Sequence, residues 1–312
     1  IIIRDRSIGP EEPVFVIAEA GVNHNGSMEI AKELIDIATD AGADAVKFQK
    51  RNLPQTYLRS IVDDPAIAEM GIEYTVSNLK DVMLTDDQFG ELEAYCGEQG
   101  IQFLCSPWDI SSVDFLETME LPIYKVGSPD MTNFVLLERL AQTGRPLLIS
   151  TGMAEEHEID ATVQFLSELE VEFGLLHCRS EYPAALHNLN LSFMEELQER
   201  YDVPVGYSGH ERGIAISTAA VTMGACVIER HFTLSRDMEG PDHAASLGPP
   251  GIKKLIRDIR NLEEAQGAPR RYITRGEYNN RVALAKSLTT TRDMSAGETV
   301  RRGDVTAKSP AK

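Results

Sequence analysis

The feature that most constrains the fold is an alternation. Short apolar runs recur along the chain, and each gives way to a stretch with helical spacing. The runs are VFVIAEA, DAVKFQ, IQFLCS, PIYKVGS, PLLIST, FGLLHC, PVGYS and CVIERH. Helical patterns follow them at about 27–41, 86–99, 110–119, after Asn133, after His157, and at 191–201, 214–223 and 252–265. Strands buried on both faces read as apolar runs, and parallel strands need a crossover helix between them. Eight such units ending near residue 266 predict a (β/α)8 barrel, a fold of roughly 250 residues. Ser27 reads as the first helix's N-cap. Residues 50–84 break the rhythm, and so long a connection in a compact domain is usually functional.

Barrel enzymes gather ligands at the C-terminal ends of their strands. Those ends carry Glu19, then Lys47 and Gln49, Ser106, Lys125 and Ser128, Ser150 and Thr151, His177 and Tyr182, Ser208 and His210, and His231. Loops are polar anyway, which accounts for the serines. It accounts poorly for lysines inside DAVKFQ and IYKVGS, because a charge taken out of water is costly unless paired. Two lysines at one mouth suit a phosphate or a carboxylate. His210 and His231 end neighbouring strands. Either alone reads as a hydrogen-bonded strand cap; together, with Ser208, Arg230, Asp242 and His243 nearby, they read as a shared metal site. The loop GVNHNGS reads equally as a plain turn or as a rim for a polyol. Trp108, Phe103 and Phe165 read as core.

Composition sets the limits. The chain has 312 residues, 42% hydrophobic and 25% charged, so it is globular with one or two domains. A net charge of −19 argues against nucleic acid or an anionic membrane surface as partner. An anionic ligand would then need local cations. No apolar run reaches membrane-span length, and no secretory signal opens the chain. Cys96, Cys105, Cys178 and Cys226 lack CxxC spacing, and Cys105, Cys178 and Cys226, in or beside apolar runs, read as buried reduced thiols, which suits the cytoplasm. Residues 267–281 read as a polar linker. Residues 282–312 alternate like strands but are too few for a core of their own, as if a small β-rich domain began there. The start without Met and the abrupt end in KSPAK fit a piece of a longer chain.

Several stretches carry a resemblance. FVIAEAGVNHNGS, AVKFQK, YKVGS, LLISTGM, GYSGHERGIAIS, ERHFTL and GPDHAASL resemble, in the same order, the sialic acid synthase family (N-acetylneuraminate synthase and its relatives). KSLTTTRDMSAGETVRRGDVTAKSP resembles the start of that family's antifreeze-like C-terminal domain. The resemblance implies condensation of phosphoenolpyruvate with N-acetylmannosamine to give N-acetylneuraminate and phosphate. It implies a divalent ion on His210 and His231, usually Mn²⁺, with Mg²⁺ or Co²⁺ as alternatives. Lys47, Lys125, Ser128, Ser150 and Ser208 match positions that hold phosphoenolpyruvate. Glu19, Gln49, Tyr182 and Asp242 match positions that hold the sugar. Catalytic work falls to Glu19, Lys125, Asp130 and His231. Asp130 stands where relatives often carry Glu, and Ser106 and Ser180 stand where some carry Thr and Asn. Arg179 and Glu181, beside Tyr182, suggest an altered acceptor. The family pattern also implies a domain-swapped homodimer. Competing readings are a synthase for a legionaminate- or pseudaminate-type acid, one using N-acetylmannosamine 6-phosphate, and a silent sugar-binding barrel.

Overall fold

A computed structural model describes residues 1–4, 6–64 and 76–310. Eight parallel strands form the central sheet. They are β1 (Phe15–Gly21), β2 (Ala45–Lys50), β3 (Gln102–Pro107), β4 (Tyr124–Val126), β5 (Leu147–Ser150), β6 (Phe173–Cys178), β7 (Val205–Gly209) and β8 (Val227–His231). Their hydrogen-bonded order is β3-β2-β1-β8-β7-β6-β5-β4. The two end strands, β3 and β4, are close neighbours, so the sheet curls into a nearly closed barrel. The order around the ring follows the chain, as successive βα units require.

The crossover helices are α1 (Met28–Ala41), α2 (Asp86–Gln99), α3 (Ile110–Glu117), α4 (Phe134–Ala141), α5 (Glu156–Glu168), α6 (Phe193–Arg200), α7 (Ala215–Thr222) and α8 (Pro249–Gln266). Helix α1 shows why they form. Ser27 Oγ accepts from the Ile30 amide at its start, and Gly42 ends it in the left-handed region. Its buried residues Ala31, Leu34, Ile35 and Ala38 make one apolar stripe against the sheet. Among its described residues, the aperiodic stretch after β2 holds the short helices Leu53–Thr56, Arg59–Asp63 and Val76–Val82. Residues 65–75 of the long connection read between 50 and 84 lie outside the described residues.

Strand alternation divides the apolar residues into two layers. Val16, Ala18, Val46, Phe48, Phe103 and Val126 face outward and pack with the helices. Phe15, Ile17, Ala45, Leu104, Ile123, Leu148, Leu176 and Val227 fill the barrel's N-terminal half. Ile3 and Ile8, on and beside a hairpin pairing Ile2–Ile3 with Arg6–Ser7, join this inner layer. The barrel is therefore stoppered with hydrocarbon at one end.

The chain separates into two compact units, Ile1–Ala265 and Gln266–Lys312. In the second, helix α9 (Arg275–Leu284) precedes an antiparallel pair, β9 (Ser287–Thr290) and β10 (Val305–Lys308). The helix starts inside the stretch read as linker, 267–281. A capping box between Thr274 and Glu277 opens it. It buries no residue, so it has no apolar stripe by which sequence could announce it. Among the described residues, no helix is long and apolar enough to cross a membrane.

Candidate active site

The same alternation that fills the barrel's base builds its mouth. One step of two residues along each strand exchanges an apolar inward residue for a polar one. Ile17 gives way to Glu19, Ala45 to Lys47 and Gln49, and Leu104 to Ser106. Likewise Ile123 gives way to Lys125, Leu148 to Ser150, Leu176 to Cys178, and Val227 to Glu229 and His231. These polar residues line a cavity of about 350 Å³, walled also by Ser128, Ser180, Tyr182, Ser208 and His210. Tyr57, Trp108, Pro129 and Met153 form its apolar edge.

A charge cluster lies at the cavity floor. Lys47 Nζ sits 2.9 Å from Glu19 Oε2 and 3.7 Å from Glu229 Oε2. Lys125 Nζ sits 3.7 Å from Glu229 Oε1, and Ser208 Oγ donates to that oxygen at 3.1 Å. The ammonium groups also donate to Ser106 Oγ (3.0 Å) and Ser150 Oγ (2.7 Å) respectively. The lysines are thus paired, which is how strands so apolar tolerate them. Burial acts against Lys47's charge, yet Glu19 and Glu229 win and raise its pKa. For Lys125, burial prevails over Glu229 and lowers it. Burial favours the neutral form of Glu229 too, but Lys125 and Lys47 overcome it and hold the carboxylate ionised.

The histidines stand above this floor. Their ring centres are 5.3 Å apart. His210 Nδ1 faces the Arg179 carbonyl at 2.8 Å. A carbonyl only accepts, so Nδ1 carries a proton, and Nε2 is the nitrogen that can ligate when the ring is neutral. His231 Nδ1 lies 3.5 Å from Asp242 Oδ2, and burial pushes the imidazole's pKa down despite the carboxylate. His231 thus leans to the neutral, ligating form, whereas at His210 burial is outweighed by Cys178 and the Arg179 carbonyl, which raise its pKa; each ring has an outer partner to orient it. Among the described residues, no three of His, Cys, Asp and Glu group to hold a metal. The pair fits a divalent ion that keeps several positions for water or substrate.

Glu19, Gln49 and Asp242 converge beside His231. Gln49 Nε2 donates to Glu19 Oε1 at 2.7 Å. A methyl group on Gly21 would lie 3.2 Å from Gln49 Nε2 and 3.3 Å from both Asp242 Oδ2 and Glu19 Oε1. Gly21 also has φ +55 at a register shift in β1, so the site needs glycine there on two counts. Gly152 plays a similar part: a methyl there would lie 2.6 Å from Ser128 Oγ and against Ser180 Oγ.

Most of the residues singled out in the sequence meet at this cavity. Asp242 lies just behind its wall. Asp130 lies beyond Pro129, in a neighbouring pocket, where Asn133 Nδ2 donates to it at 2.9 Å. Burial pushes its pKa up to about 6, against the pull of Asn133 and Arg51. His177 points outward, with Nε2 at 2.8 Å from the Leu189 carbonyl. Arg179 and Glu181 both engage Asn188, and Tyr182 lines the cavity with its ring centre 4.1 Å from that of His210. Asn23 and Asn25 of the GVNHNGS loop tie it to the loop after β8, through Phe232, Ser246, Glu239 and His243. That loop is a clasp. Trp108, read as core, lies instead on the cavity wall.

The main omission was Glu229. It sits in CVIERH between inward Val227 and His231, so period-two alternation would have found it. Arg230, its outward neighbour, pairs with buried Glu211 at 2.7 Å and also reaches Ser217 and the Gly213 carbonyl. It fastens the loop that carries His210. Cys178, inward on β6, touches His210 Nδ1 at 3.8 Å and Ser128 at 3.5 Å. Burial would lift its thiol pKa, but His210 and Ser128 bring it down to about 7.

Comparison with known proteins agrees with this architecture. A sequence model of the NeuB family matches residues 34–271. The chain is 39% identical over 305 residues to the N-acetylneuraminate-9-phosphate synthase of Mus musculus, covering 97% of this chain and 85% of the relative. It is 39% identical over 309 residues to the N,N'-diacetyllegionaminic acid synthase of Campylobacter jejuni, covering 95% and 90%. Among solved structures, the N-acetylneuraminic acid (sialic acid) synthetase of Leptospira borgpetersenii superposes with a TM-score of 0.79 at 32% identity, over 90% of this chain and 94% of that one.

Proposed function

The chain belongs to the NeuB family, and from that premise we propose that it condenses phosphoenolpyruvate with N-acetylmannosamine to give N-acetylneuraminate and phosphate. The observation that carries the reading is one cavity joining a lysine-serine floor to a pair of oriented histidines. Lys47, Lys125, Ser128, Ser150 and Ser208 bind the phosphate and carboxylate of phosphoenolpyruvate. Ser106 and Ser180 add hydroxyls to that wall. Glu19, Gln49, Tyr182 and Asp242 hold and orient the open-chain sugar.

In the reaction, carbon 3 of phosphoenolpyruvate bonds to the aldehyde carbon. Water adds at carbon 2, and phosphate leaves with cleavage of its C–O bond. Lys47, whose pKa Glu19 and Glu229 raise against burial, carries charge toward the departing phosphate, and Lys125 adds its hydrogen bonds beside it. Glu19, already accepting from Gln49, is placed to hold a proton near the aldehyde side. A divalent ion held by His210 and His231, for which we take Mn²⁺, would supply Lewis-acid polarisation of the aldehyde oxygen. Asp130 is given no step, since it faces the adjoining pocket.

The acceptor is the open choice within this reading, because relatives of equal identity bear names for different products. A phosphate-release assay should give turnover with phosphoenolpyruvate and N-acetylmannosamine. Faster turnover with N-acetylmannosamine 6-phosphate, or with the diacetamido sugar that leads to legionaminate, would transfer the assignment to that acceptor. Release with no acceptor in the panel would favour a silent barrel. His210→Ala and His231→Ala should each abolish turnover while the thermal midpoint stays within a few degrees. Full activity in either variant, or in chelated wild type, would remove the metal role.

A further inference from the structure

We propose that Arg51 is a positioning residue for Gln49: it locks the Gln49 amide in one orientation and, through it, sets binding of the acceptor sugar. The proposal rests on the reading that Gln49 serves the acceptor. Gln49 is gripped from two sides. Arg51 Nη2 donates to Gln49 Oε1 at 2.5 Å, and Gln49 Nε2 donates to Glu19 Oε1 at 2.7 Å. A guanidinium has only donors, and a carboxylate paired with Lys47 acts as an acceptor. Turning the amide over would set its NH2 against the guanidinium and its oxygen against the carboxylate. Both hydrogen bonds would be lost in a half-buried place, so the partners dictate the orientation.

Arg51 can dictate because it is itself held. It is 3% exposed, and its guanidinium stacks on the Trp108 ring, 3.8 Å from the ring centre. The Trp108 amide donates to the Lys50 carbonyl at 3.0 Å, so the ends of β2 and β3 clamp the stack in place. With its oxygen turned to Arg51 and one N–H given to Glu19, Gln49 keeps one N–H for a ligand oxygen. That N–H belongs to the group converging with Glu19 and Asp242 around Gly21. Arg51's contacts with Gln49 and Trp108 do not involve Lys125, Ser128 or Ser150. Its route to phosphoenolpyruvate is indirect, through Glu19 and Lys47, so the larger effect falls on the acceptor.

The test uses the whole protein and the variants Arg51→Met, Arg51→Lys and Arg51→Leu. In the phosphate-release assay, Arg51→Met should raise the KM for the acceptor about tenfold and leave that for phosphoenolpyruvate within about twofold. Arg51→Lys, which keeps one donor for Gln49 Oε1, should recover part of the loss. In a Gln49→Ala background, Arg51→Met should add less than about twofold, because its route is already gone. Equal rises in both KM values, or full additivity with Gln49→Ala, would make Arg51 a general structural support and overturn the proposal. A readout independent of turnover separates it from the reading it rests on. The Gln49 side-chain NH2, assigned in a ¹⁵N spectrum by its loss in Gln49→Ala, should be slowly exchanging in wild type and averaged in Arg51→Met. Should Arg51→Met fail to fold, Arg51→Leu, which also lacks a donor, must show the same averaging. An unchanged NH2 signal refutes the lock whether or not the chain is a synthase.

Discussion

Glu229 decides how the cavity's lysines behave. It lies between Lys47 and Lys125 at 3.7 Å from each, so an incoming anion competes with a resident carboxylate. Lys125→Met should weaken phosphoenolpyruvate binding at least about tenfold, or roughly 1.4 kcal/mol. It should also destabilise the fold by about 3 kcal/mol, since breaking a buried pair leaves a charge poorly compensated. Adding Glu229→Gln should restore most of that stability without restoring affinity. Calorimetric titration and urea melts of the single and double variants separate the two effects. Because both lysines are buried, added salt should screen these effects only weakly. Asp130 offers a pH test. Its folded pKa of about 6 lies above the ordinary 3.8, so folding favours its protonated form. Stability is thus greatest below about 4 and falls as pH rises through 6. Asp130→Asn should gain about 1–3 kcal/mol at pH 8, with the gap narrowing at pH 5. Melts in which the variant gains nothing at pH 8 would show that burial does not strain this carboxyl.

At the scale of elements, the loops after β1, β6, β7 and β8 hold one another. The β7 loop depends on Arg230, which reaches outward from β8 to Glu211, Ser217 and two backbone carbonyls. Tyr207 adds its hydroxyl to Glu211 at 2.8 Å. GHERG therefore holds the proposed ligand, His210, and its fastening, Glu211, in adjacent positions. Arg230→Met should cost about 3–5 kcal/mol by stranding Glu211 in a dry site. Folded Arg230→Met at low temperature should bind metal more weakly, as His210 loses its fixed approach. A variant as stable as wild type in chemical denaturation would mean that the β7 loop is held by packing alone.

At the scale of the whole molecule, the small C-terminal unit has an unusual surface. Tyr272, Tyr278, Leu284 and Leu288 are all more than half exposed. A helix and a two-stranded sheet cannot bury enough to stand alone. We propose a homodimer in which residues after about Val282 lie against the other chain's barrel, near Tyr182 or the 50–84 connection. Sedimentation should give twice the 34.5 kDa of one chain. Removing residues 267–312 should weaken acceptor binding while leaving phosphoenolpyruvate binding nearly intact. A monomer whose sugar affinity survives that deletion would refute the arrangement.

The sequence by itself determined the barrel, because eight apolar runs and their helices leave few ways to bury so much hydrocarbon. It also determined which strand ends carry polar groups, since lysine and histidine stand out inside runs such as DAVKFQ and CVIERH. Pairing was decided only in three dimensions. Lys125 and Glu229 are far apart in the chain, as are Arg260 and Asp44, and only closure of the ring brings them to 3.7 Å and 2.8 Å. The clasp role of GVNHNGS, the outward turn of His177 and the displacement of Asp130 to the next pocket were equally invisible. A side chain's partner depends on which neighbouring strand faces it and at what register, and no local pattern encodes that. The apolar runs around Lys47 and Lys125 implied that a charge was buried; the fold chose what would neutralise it.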